Sequence, residues 1–347
     1  MENEKESGKR EPRPAWTLAL RRFEEPDARK AALQIVNTLG PYLGIVVLMY
    51  LTTTWEFPVW STILLAIPAG AFLIRLFIFF HDCVHGSFLR SRRAITILGN
   101  ILGILTFTPF SEWQYSHGVH HSTAGNLDRR GIGDVWTMTV EEYAGSRPLR
   151  RLLYRFVRNP FVMFGLGPIA TFFIVNRIPG ARSGRRQILN VLLTDLGIAA
   201  IVVAATLTVG IKTYLLIQIP ILYFAGVAGI WLFYVQHQFD PSYWARTEKW
   251  GSMEAALQGS SYYKLPRILQ WITGNIGLHH VHHLRPRIPN YNLQRCLDET
   301  PELRLTNPLT FKKSIGSVRL NIWDEKTNRL LSFRALSALL KQRARLA

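Results

Sequence analysis

The sequence predicts an all-α integral-membrane fold: four spanning helices in two hairpins, interfacial helices, and a cytoplasmic helical cap holding a histidine-ligated two-metal site. Three observations predict it. Four apolar runs are long enough to cross a bilayer, Lys and Arg crowd into the segments between them, and nine of the ten histidines fall in three short groups.

A helix needs about 20 mostly apolar residues to cross the hydrocarbon core. The runs at 39–55, 59–80, 190–210 and 213–235 meet that requirement. The first two are separated only by the turn Trp55-Glu56-Phe57-Pro58, and the last two only by Gly210-Ile211-Lys212-Thr213. They read as two helical hairpins whose turns lie on one side. Charge sets which side. Of the 41 Lys and Arg, 39 lie before residue 39, in 81–189, or in 236–347. Cytoplasmic segments carry the Lys/Arg excess, so both termini and the long middle segment are expected in the cytoplasm. Arg75, inside the second span, is expected to snorkel to the interface; contact with a polar substrate group is the alternative.

The net charge of +18 belongs to the same segments. A basic balance suits nucleic acid or an anionic membrane surface; the apolar runs favour the membrane, and no nucleic-acid module is recognisable. Cys83 and Cys296 are the only cysteines and lie far apart, so a disulfide framework is not expected. The first apolar run starts near residue 40 behind a charged stretch, unlike a cleavable signal peptide. The reading divides the chain into an N-terminal segment 1–38, with residues 1–15 disordered, a membrane domain 39–300 and a C-terminal tail 301–347.

The histidines carry the chemistry. The first group is H-x3-H (His81, His85), the second is H-x2-H-H (His117, His120, His121), and the third, within HHVHH, is H-x2-H-H again (His279, His282, His283). Helical residues three and four apart share a face, so each group presents imidazoles toward one point at metal-ligand spacing. Eight such ligands exceed the capacity of one ion and suit two. His237 follows the fourth span directly and is expected as the ninth ligand. His280 is expected off the ligand face. Imidazole suits iron, zinc, copper and nickel alike, so ligand type does not choose the metal. The groups also constrain the shorter apolar stretches 94–110 and 161–178. If 94–110 crossed the bilayer, the second group would land on the face opposite the first. Both stretches are therefore expected to lie in the interface or re-enter.

Asp82, flanked by the first-group ligands, is expected to orient a ligand imidazole through its second ring nitrogen. Asn275, four residues before His279, is expected to share its helical face and hold a metal-bound water. Asp134 is expected beside the ligands, and Trp113, Trp136 and Tyr262 along the substrate path. The segments 151–158 and 330–346 mix basic and apolar residues at helical spacing, and read as helices lying on the membrane or covering the cap.

With these three groups, and with the phrases FYVQHQFDPSYW (233–244) and GSSYYKLPRILQWITGNIGLHHVHHLRPRIPNYNL (259–293), the sequence resembles the membrane-bound fatty acid desaturase family over residues 40 to 300, in particular bacterial acyl-lipid desaturases including those acting at the Δ12 position. One departure is Val84, inside HDCVHGSF, where many relatives carry Gly; altered packing is expected there, not loss of metal. The resemblance implies two non-haem irons, O2, an acyl-lipid substrate in an internal tunnel and a bacterial inner-membrane location. No H-P-G-G haem motif is present, so the two electrons are expected from a separate ferredoxin or cytochrome b5. Related hydroxylases, ketolases and acetylenases on lipid or carotenoid share the ligands and form the neighbouring reading. A metal transporter is disfavoured, because transporters place their ligands near the bilayer midplane.

Overall fold

The computed structural model describes residues 14–305 and 307–346; the expected disorder of residues 1–15 falls almost wholly outside them. Among the described residues, four helices are long and apolar enough to cross a membrane. The first span is Ala28–Thr54, begun where the Asp27 carboxylate accepts from the backbone N–H groups of Arg29 and Lys30. Pro58 sets up the second span, Val59–His85. The third and fourth spans are Arg185–Thr208 and Ile211–His237, separated by Val209 and by Gly210 at φ 85°. The first span thus begins eleven residues before its apolar run, so the N-terminal segment is continuous with it.

The second span is the hub, packing against both the first and the fourth. Its buried Ala66, Ala69 and Gly70 permit close approach, and a Cβ on Gly70 would lie 3.0 Å from the Ala225 backbone nitrogen. Leu73, Leu76, Phe79 and Phe80 continue the core down to the histidines, with Ile221 and Leu222 from the fourth span. The first and third spans leave Leu43, Val47, Leu48, Leu192, Leu193 and Leu196 exposed. Rows of exposed apolar side chains on long helices require lipid around them.

The two shorter apolar stretches bend. Helices Arg92–Leu105 and Phe110–Thr123 meet at 98°, and Pro148–Val157 meets the Phe161–Arg177 segment at 61°. The first bend, through Phe107 at φ 54° and Pro109, turns the chain back. It brings the second histidine group to the first, as expected.

The cap is mostly helical with two small sheets. Met138–Thr139 pairs in parallel with Ile322–Asp324, which pairs antiparallel with Arg329–Leu331; Tyr263–Lys264 pairs in parallel with Leu309–Thr310. Three of these five strands come from the segment expected as a tail, so 301–347 is a folded part of the cap. Trp323 is fully buried there against Leu127 and Leu330. The terminal helix Phe333–Leu346 buries Leu336 with Tyr143 and Tyr154, and so covers the cap.

Candidate metal centre

Four helix segments deliver the nine histidines. His81 and His85 form the last turn of the second span, stopped immediately by Gly86 in the left-handed conformation. His117, His120 and His121 lie on Phe110–Thr123, and His237 is the last residue of the fourth span. His279, His282 and His283 lie on the short helix His279–Leu284. That helix is fixed from behind: Gln236 Nε2 donates to the Ile276 carbonyl (3.0 Å), and the Tyr263 N–H to the Gly277 carbonyl (2.7 Å).

The ring nitrogens gather in two adjoining groups. One holds His81, His85, His117, His121 and His282; the other holds His120, His237, His279 and His283. Within each group the ligand atoms lie within 4.8 Å of one another. In the first, Nε2–Nε2 separations are 3.0 Å for His85–His117 and 3.1 Å for His117–His121 and His121–His282. In the second they are 3.0 Å for His120–His237 and His237–His279, and 3.1 Å for His279–His283. His121 and His283 stack across the boundary, ring centroids 4.1 Å apart.

The second and third groups therefore do not each face a single point. In both, the i and i+4 histidines share one group (117 with 121, 279 with 283), while His120 and His282 turn to the other. The reason is angular: adjacent helical residues diverge by about 100°, so His120 and His121 cannot aim at one ion.

The residues fit a pair of metal ions. Nε2 atoms this close have no reason to converge as free bases, and two imidazoles about 2.1 Å from one ion stand about 3.0 Å apart at a right angle but about 3.4 Å apart at a tetrahedral angle. The observed spacing matches the right-angle case, hence an ion of five or six ligands. Protonation also favours binding. Burial first, and neighbouring imidazoles second, hold His117, His121, His279, His282 and His283 well below the ordinary histidine range, so they are neutral and their Nε2 lone pairs are available.

Three of the nine are steadied from their far nitrogen. Asp134 accepts from His120 Nδ1 at 2.6 Å and from the Gly131 N–H at 3.2 Å. The Gly259 carbonyl accepts from His237 Nδ1 at 3.3 Å. Asp82 lies 3.4 Å from His81 Nδ1 through Oδ1, while its Oδ2 accepts from both the backbone and side-chain nitrogens of Asn290 (2.7 and 2.8 Å). Asn290 is in turn bonded to Gln34 of the first span (2.8 Å). Asn290 and Gln34 escape a reading of the sequence; the only signal is a polar residue opening a helix at IPNYNL.

His280 faces away, its Nε2 toward the Leu303 carbonyl (3.3 Å), and burial pushes its pKa down to about 4. Trp113 stacks on His117, centroids 4.1 Å apart, and packs on Phe77 and Phe80. Val84 is buried, and its carbonyl accepts from Gln114 on the second-group helix (2.9 Å).

Four expectations are corrected. Asn275 does not share a helix with His279: it sits before that helix at φ 57°, and its amide donates to the Asn290 carbonyl (3.1 Å). Trp136 packs on Tyr154 in the cap, away from the histidines. Tyr262 lies against His280, on the side of that helix turned from the metal groups. Arg75 does not snorkel. It is 2% exposed, donates from Nε to Thr38 Oγ1 (3.0 Å) and lies 4.0 Å from the Trp271 ring centroid. Among the described residues no carboxylate lies within 4.0 Å of it, and the aromatic face takes the place of an anion.

The sequence profile of the fatty acid desaturase family matches residues 58–312. The chain belongs to the fatty acid desaturase family. It is 43% identical over 320 residues to a fatty acid desaturase of Bacillus subtilis (strain 168), covering 92% of this chain and 90% of that one. More distant relatives are an sn-1 oleoyl-lipid 12-desaturase of Synechocystis (28% over 289 residues; 80% of this chain, 77% of that one) and an endoplasmic-reticulum omega-3 fatty acid desaturase of Vigna radiata (29% over 245 residues; 65% and 60%). This desaturase is thus an oxidoreductase of a family that implies a metal cofactor, and its two histidine groups could hold one.

Proposed function

We propose that this desaturase introduces a cis double bond into a lipid-linked acyl chain, using O2, two irons bound by the nine histidines, and two electrons from a separate ferredoxin or cytochrome b5. The observation that carries the reading is the convergence of nine imidazoles in two adjoining groups. Their right-angle spacing suits iron better than tetrahedral zinc. When bound, such an iron pair supplies O2-dependent oxidation of unactivated C–H bonds.

The chain's own contribution is placement. Asp134, Asp82 and the Gly259 carbonyl take the outward ring protons of His120, His81 and His237, leaving each Nε2 aimed at its group. Burial keeps water from the ligands, and Trp113 over His117 forms an apolar wall where the reacting methylenes are held. The Lys/Arg distribution supports a cytoplasmic site and cytoplasmic termini, in the inner membrane of a bacterium. A Δ12 outcome rests on likeness to 12-desaturases.

Expression in a host with simple membrane lipids, with a reductase and ferredoxin supplied, tests this by gas chromatography–mass spectrometry of the fatty acids. A new double bond absent from His120→Ala is expected, and its position reports regioselectivity. A hydroxyl or a triple bond as the sole product would overturn desaturation.

A further inference from the structure

Helix Pro148–Val157 presents an uncovered apolar row. Leu149 is 76% exposed, Leu152 65% and Phe156 55%, with Phe161 beyond at 88%. Their spacing of three and four residues puts them on one face. Beside the start of this helix lies a groove of about 720 Å³, lined by Arg130, Trp136, Met138, Glu142, Arg147 and Arg150.

The arginines of this region divide by partner. Arg130 is paired with Glu142. Arg155 donates to Tyr143 Oη (2.6 Å), Arg151 to the Ser146 carbonyl (2.9 Å), and the buried Arg158 to Gln238 (2.9 Å). Arg147 and Arg150 are exposed, and among the described residues neither has a carboxylate within 4.0 Å or a side-chain hydrogen bond. The two unpaired guanidinium groups are the ones that line the groove.

We propose that this groove binds the phosphate headgroup of an anionic phospholipid in the adjoining leaflet. The apolar row must sit in the acyl layer, which sets the start of the same helix at headgroup depth. Guanidinium groups at that depth meet phosphate, and their planar fork binds it in two-pronged fashion. Trp136 and Met138 form the floor against which the glycerol backbone rests, and Glu142 is neutralised by Arg130, so it does not repel the anion. The groove is also one loop away from the metal groups, since Asp134 of that loop holds His120. A lipid seated there steadies the loop that steadies a ligand. The proposal rests on membrane embedding and not on the identity of the metal or the reaction.

The test is native mass spectrometry of the purified full-length chain, released from nanodiscs of mixed phosphatidylglycerol and phosphatidylcholine. The wild type is expected to retain phosphatidylglycerol preferentially. In the double variant R147Q/R150Q that preference is expected to fall roughly thirtyfold, since each surface arginine contributes about tenfold or slightly less toward anionic lipid. The exposed pair K312Q/K313Q is the charge-matched control, expected to behave as wild type. Equal losses in both variants would reduce the effect to overall charge and overturn the proposal. An unchanged lipid preference in R147Q/R150Q, with slower and less salt-sensitive reduction by an acidic one-electron carrier, would instead make the groove a protein-docking site. The readout needs no turnover, so its failure is distinct from failure of the desaturase reading.

Discussion

Asp134 gives the most exacting test of how the cap holds the centre. Its side chain is nearly inaccessible and accepts from His120 Nδ1 at 2.6 Å and from the Gly131 N–H at 3.2 Å. A hydrogen bond to an ionised group contributes about 1.5–3 kcal/mol. Losing about 2 kcal/mol of ligand orientation in Asp134→Ala lowers metal affinity about thirtyfold, inside the ten- to hundredfold range usual for partners of metal-bound histidines. Asp134→Asn keeps an acceptor of the same shape but not its charge. A neutral bond is about half as strong, so about fivefold is expected. The assay is competition for iron with a chromophoric chelator, using purified protein. Because His120 belongs to the four-histidine group, one of two bound ions should be released early while the five-histidine group keeps its ion. Three identical titration curves, for wild type, Asn and Ala, would refute the reasoning.

Other outcomes follow from the same packing. Gly133 sits at φ 71°, and an added Cβ would lie 2.9 Å from the Ser116 carbonyl and 3.1 Å from His120 Cβ; Gly133→Val should lift the loop bearing Asp134 and destabilise by about 1–3 kcal/mol, read as a lowered melting temperature in detergent, and an unchanged value would contradict it. Arg75→Met should be neutral or stabilising, because a buried charge without a carboxylate gains little, whereas Trp271→Ala strands the guanidinium and should cost about 2 kcal/mol; equal effects of Trp271→Ala in wild-type and Arg75→Met backgrounds would deny the coupling. His279→Gln should lose an ion while the neighbouring His280→Gln keeps both by elemental analysis, and matching losses would place His280 among the ligands.

The spans and the histidine groups were legible because both depend on local pattern. Twenty apolar residues must become a helix in lipid, and ligands three or four residues apart must share a face. The common face of the boxes was legible too, since topology forces 94–110 to turn back. The split into five and four was not, because it depends on how helices from distant segments cross. Arg75 shows the same limit: burial and snorkelling look alike until Thr38 and Trp271 are seen to meet it. Asn275 misled because a helical spacing was assumed across Gly274, whose φ of 52° breaks it. Strands of two or three residues leave no periodic trace, so the folded 301–347 segment read as a tail.

The central claim is that nine histidines hold two irons. Elemental analysis of the protein purified from iron-supplemented cells, paired with Mössbauer spectroscopy of the 57Fe-enriched form, tests it most directly. The account predicts two irons per chain in nitrogen-rich, five- or six-coordinate sites, falling to one in His237→Ala. A single ion, or zinc in tetrahedral geometry, would contradict it.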